Sequence, residues 1–134
     1  MTTDEARREA VRLLTEKADE ALGAAQQVAA ASSAAAVNRA YYACFYAASA
    51  VLIAEGHKFV KHAGVQDALH QHLVRPGRIP KELGKAYNEL MVSRHQADYE
   101  TVVVWTPQDA QKAIERAQEI IGALRALLPT RNNG

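Results

Sequence analysis

The chain has 134 residues, a formal net charge of +1, 23% charged residues and one cysteine. That length suits a single domain with a real core, read here as 1–134 with the core at about 4–128 and a frayed tail over 129–134. A lone Cys44 excludes an internal disulfide and fits a reducing compartment. No basic segment followed by an apolar stretch opens the chain as a signal peptide would, and its longest nearly continuous apolar run, 40–54, falls short of the about 20 residues of a membrane span. The expectation is a cytoplasmic protein with no membrane contact.

Thr3 followed by Asp4 and Glu5 predicts a helix start, a hydroxyl cap with acids at the positive end of the dipole. Val11, Leu14, Ala18, Leu22, Ala25 and Val28 then recur at the period of one helix face. Ser32 and Ser33 offer a cap for a second helix over about 34–55, ending at Gly56. This second helix is apolar nearly all round, with Ala43, Ala47, Ala50 and Ala54 on one side and Phe45, Tyr46, Leu52 and Ile53 on others. Such a helix is buried on every face. A bundle this small is not expected to cover it alone, so a homodimer seam is expected there, with the long first and last helices as the alternative cover.

A linker, "GHKFVKHAG", leads to a third helix with Val65, Leu69 and Leu73 on one face, broken by "RPGRIP". A fourth helix starts near Lys81, carries Leu83, Tyr87, Leu90 and Arg94 on one stripe, and frays near Asp98. "TVVVWT" is β-prone, but one strand has nothing to pair with, so an ordered loop folded over the bundle is expected. Thr106, Pro107 and Asp109 form a strong start for a last helix, whose buried face is Ala113, Ile114, Ala117, Ile121, Leu124 and Leu128. The fold class is all-α, an up-and-down bundle of four to five helices.

Charge is uneven. Residues 56–85 carry six Lys/Arg against two Asp/Glu and four of the five histidines. This segment is either a solvated surface or a local phosphate-binding patch. The histidines do not make a metal site: His70 and His72 project to nearly opposite sides of a helix, while His57 and His62 lie in the linker without a carboxylate or cysteine cluster. No glycine-rich phosphate loop and no G-x-S-x-G nucleophile elbow occurs.

The polar residues on the apolar helices are more informative. Asn38, Tyr42, Phe45 and Ser49 share one face of the second helix, and Arg39, Tyr42 and Tyr46 the adjacent one. A tyrosine beside a guanidinium occurs in plain bundle cores and also in sites that stack a base and clamp a phosphate. Arg94 continues an apolar stripe, so it points to the core or its rim and demands an anion. Asp98, one turn on, is within pairing reach. Arg94 is therefore either a helix lock with Asp98 or a phosphate-facing group.

"NRAYYACFYAA" at 38–48, "KHAGV" at 61–65 and "SRHQADYE" at 93–100, in that order, resemble the HEPN superfamily, most closely its stand-alone prokaryotic branch with A-x-N-R-x-Y-Y and R-x-x-A-D-Y patterns. The resemblance covers roughly residues 8–128. It implies a four- or five-helix bundle, usually dimeric. It also implies a nucleotide- or RNA-phosphate-binding role in a toxin–antitoxin or defence-type module beside a nucleotidyltransferase. Many such domains are metal-independent ribonucleases in which an Arg is followed, after four to six intervening residues, by a His. Arg94 matches the Arg. No histidine follows His95, which is itself adjacent to Arg94 and rotated about 100° from it, and Tyr99 takes the approximate place of the His. A phenol with a pKa of about 10 is a poor base at neutral pH. The resemblance thus implies Asn38, Arg39, Tyr42 and Arg94 as binding residues and Arg94, Asp98 and Tyr99 as candidates for any chemistry, with no cofactor. Three readings stand at this point: a nucleotide-phosphate-binding domain, a ribonuclease with a degenerate site, and a structural dimer or adaptor.

Overall fold

The computed structural model describes residues 3–58 and 61–129. Its helices are α1 (Thr3–Val28), α2 (Ser33–Ala54), α3 (His62–Leu69), α4 (Lys81–Tyr99) and α5 (Pro107–Arg125), with a π-helical turn, His70–Val74, continuing α3. No strand occurs among the described residues. The bundle is all-α and built around α2, which packs against each of the other four helices.

Local signals explain most boundaries. Ser32 Oγ accepts the Ala35 N–H at 3.1 Å and starts α2. Gly56, at φ +94°, adopts the left-handed conformation that ends it. At α5 a capping box forms, with Thr106 Oγ1 accepting the Asp109 N–H at 3.1 Å and the Asp109 carboxylate accepting the Thr106 N–H at 2.9 Å. Thr3, expected as a cap, is itself helical in α1; residues 1–2 lie outside the described residues, as do linker residues 59–60 and the tail from 130 on. α4 runs one residue past Asp98, to Tyr99.

The core is alanine-rich at helix crossings and aromatic at its centre. Ala18, Ala21 and Ala25 of α1 face Ala36, Ala40, Ala43 and Ala47 of α2, while Tyr41 and Tyr87 are fully buried. Small side chains let the α1 and α2 backbones approach closely. Of the α2 residues named above, Ala43, Ala47, Ala50 and Leu52 are buried within the one chain, whereas Phe45, Tyr46, Ile53 and Ala54 are only partly buried.

The segment after α4 also differs from expectation. Val102 and Val104 are 86% and 82% exposed, and only Trp105 turns inward against the core. Between α3 and α4 the Arg75 N–H reaches the His70 carbonyl at 2.9 Å, the i→i−5 bond that widens this turn. α4 crosses it at Gly84, where a Cβ would sit 2.8 Å from Val74 Cγ2 and 3.0 Å from His70 Cε1.

Candidate functional site

The N-terminal half of α2 and the C-terminal half of α4 lie side by side, and the polar residues singled out from the sequence meet there. Asn38 Nδ2 donates to both oxygens of Asp98, at 3.0 and 3.2 Å, and Arg39 Nε donates to Asn38 Oδ1 at 3.0 Å. Both bonds together fix which way the Asn38 amide points. Arg94 Nη1 is 3.7 Å from Asp98 Oδ2, a loose ion pair rather than a hydrogen bond.

Arg94 is the anomaly. Its side chain is 13% exposed, and its buried Nε has no hydrogen-bond partner among the described residues. What surrounds it is aromatic: Cζ lies 5.0 Å from the Tyr41 ring centre and 5.7 Å from that of Tyr42. Arg39 packs on Tyr42 as well, with Cζ 4.9 Å from the ring centre. Two guanidiniums thus share one tyrosine, and the single carboxylate beside them is already engaged by an amide. The cluster carries one uncompensated positive charge. Cation–π contacts stabilise it only in part, at roughly 0.5–2 kcal/mol each. Asn38, Arg39 and Asp98 line the polar wall of an open groove of about 600 Å³, with Ala24, Val28, Ala34, Ala35 and Ala97 as its apolar floor. The arrangement is suited to holding an anion whose attached group lies over small apolar side chains.

Tyr99 does not join this cluster. It is 69% exposed, with its ring 4.9 Å from that of His95 on the outer surface of α4. The basic segment 56–85 does not converge on the groove either, and its Arg78 is tied to Glu55. His57 and His72 stack at 4.1 Å near that pair, and no group of three metal-ligating side chains occurs among the described residues.

One residue of the segment behaves otherwise. His62, read from the sequence as part of a linker, is the first residue of α3. Its ring packs on Phe45 at 4.3 Å, and its Nδ1 lies 2.7 Å from the Tyr41 hydroxyl. Burial lowers its pKa, and the charge of Arg94 adds to that effect. Burial likewise pushes the Tyr41 and Tyr87 phenols and the Cys44 thiol upward, so all three stay protonated and Cys44 is inert at neutral pH. The signal for His62 was present in "KHAGV", but nothing local links that segment to Tyr41.

A family model described as "HEPN domain" matches residues 11–127. The chain belongs to the HEPN domain family. It is similar to a UPF0332 protein of Thermotoga maritima, 39% identical over 92 residues, covering 69% of this chain and 70% of that one. It is also similar to a Methanocaldococcus jannaschii protein named a putative toxin, MJ0605, 32% identical over 122 residues and 90% of each chain. Among solved structures, TT1696 from Thermus thermophilus shares the fold, with a TM-score of 0.76 at 23% identity over 88% of this chain and 98% of that one. The expected family and bundle are thus both found. No helix among the described residues is long and apolar enough to cross a membrane.

Proposed function

We propose that this HEPN domain binds the phosphate of a nucleotide or RNA at Arg94 and Arg39, with Tyr42 between them and Asn38 and Asp98 fixing their setting. The observation that carries this reading is the semi-buried Arg94, whose Nε is unpartnered among the described residues and whose only acid among them is 3.7 Å away and bonded to Asn38. A guanidinium left so underpaired is costly unless an anion completes it, and Arg is the side chain whose fork fits phosphate. The groove beside it has room for a nucleoside over the α1–α2 alanines.

The relatives named as toxins support placing the domain in a cytoplasmic toxin–antitoxin or defence-type module with a nucleotidyltransferase partner. Val92 and Tyr99, two turns apart on α4, and Val102 and Val104 just beyond are exposed apolar side chains for that partner or a second copy to cover.

The test is fluorescence polarisation with a fluorescein-labelled oligouridylate, and with labelled mononucleotides, across a salt series. Binding that weakens with salt and falls by about a hundredfold in Arg94→Ala, with the melting temperature little changed, is the expected result. Absence of binding to every such probe, or equal binding by the variant, removes the reading.

A further inference from the structure

His62 has a ring nitrogen that the bundle does not use. Tyr41 is fully buried, and the contact at hydrogen-bond distance from its hydroxyl is His62 Nδ1 at 2.7 Å. We assign the phenol as donor and Nδ1 as acceptor in this pair. In the neutral ring the hydrogen then sits on Nε2, and Phe45, stacked at 4.3 Å, holds the plane of the ring. Among the described residues the ring is hydrogen-bonded only through Nδ1, and it is half-buried rather than sealed in the core. The His62 ring centre is 5.7 Å from that of Tyr41 and 5.6 Å from that of Tyr42, the two rings on which the Arg94 guanidinium rests. A neutral donor and an underpaired cation, from different helices, therefore border the same two tyrosines.

We propose that His62 is a ligand-binding residue of the Arg94 site, offering its Nε2–H to a phosphate oxygen of the bound nucleotide unit while Tyr41 and Phe45 fix its tautomer and orientation. The inference rests on the phosphate reading above and adds an imidazole that the Arg-containing motif on α4 does not itself supply. A purely structural His62 would use only the Nδ1 bond to Tyr41, and the two roles separate by substitution. Asparagine places its amide near Nδ1 and has nothing at Nε2; glutamine reaches toward Nε2.

With the fluorescein-labelled oligouridylate, His62→Asn is expected to weaken binding about tenfold, and His62→Gln to stay within about threefold of wild type. Wild-type binding by His62→Asn, or equal loss in both variants, overturns the proposal. Ring ¹⁵N spectra of the wild-type protein test it without a substitution. Titration with inorganic phosphate is expected to move the His62 Nε2 resonance and leave Nδ1 nearly in place, and an unmoved Nε2 overturns it. Failure of wild type to bind, or indifference to Arg94→Ala, removes the phosphate site and this inference with it. Binding that depends on Arg94 but not on His62 retires this inference alone.

Discussion

At each end of α2 a guanidinium meets a carboxylate, and the two meetings are unlike. At the C-terminal end Arg78 gives Nη1 and Nη2 to the two oxygens of Glu55, at 2.8 and 2.5 Å, a bidentate pair on the rim of the bundle. At the N-terminal end Arg94 is far more buried, yet it stands 3.7 Å from Asp98, whose oxygens are bonded to Asn38. The more buried cation is the less satisfied one, the reverse of what stability alone would select. The Arg78 pair is complete, whereas the Arg94 pair leaves a buried Nε without a hydrogen-bond partner among the described residues.

This contrast can be broken by substitutions at either end. Next to the loss expected of Arg94→Ala, the largest effect belongs to Arg39→Ala, which removes the second guanidinium over Tyr42. Affinity for the labelled oligouridylate should fall about tenfold, while the urea midpoint stays nearly unchanged. Asp98→Asn keeps the shape of the partner and deletes its charge. Affinity should then rise about fivefold at low salt, equivalent to about 1 kcal/mol for a charge some 4 Å away in water-like surroundings, and the gain should shrink as salt is added. A fall in affinity would mean that Asp98 binds the ligand rather than merely neutralising the cluster.

Arg78→Ala at the other end should leave affinity alone and lower stability by at most about 1 kcal/mol in urea titrations, since that pair is partly exposed. The smallest effect is a dependence on pH. The His62 pKa is lowered by burial and then by Arg94, so below about pH 6.5 the unfolded chain takes up the proton before the folded one does. This part of the stability is intact above that pH and is lost as pH falls toward the lower folded value. Urea midpoints from neutral pH down through that window should decline less in His62→Gln than in wild type.

Where the sequence could be read, its signals were local. The Thr106–Pro107–Asp109 start of α5, the Ser32 cap and the Gly56 stop each act within one turn, and each stands where expected. The stripe from Tyr87 through Leu90 to Arg94 placed the guanidinium at the edge of the core because helix period alone decides that. The meeting of Asn38 with Asp98 is harder to read: each stands out on its own helix, but the competition between Asn38 and Arg94 for one carboxylate depends on how α2 and α4 lie together. His62 was out of reach for the same reason, since its partner Tyr41 lies across a chain reversal. Tyr99 looked well placed only by counting along α4, and the helix turns its ring outward toward His95. Val102 and Val104 had β propensity and no partner strand, and propensity did not predict that they would face solvent.

Gly84 sets the aim of the site from a distance. With no Cβ there, α4 lies directly against Val74 and His70 of the widened turn, closer than any side chain would permit. At 1.5 Å of rise per residue, Arg94 stands about 15 Å further along the same rod. A helix that pivots on that contact carries any tilt to its far end, where the guanidinium meets two aromatic rings. The close approach at one end of α4, outside the groove, thus bears on where its charged end comes to lie.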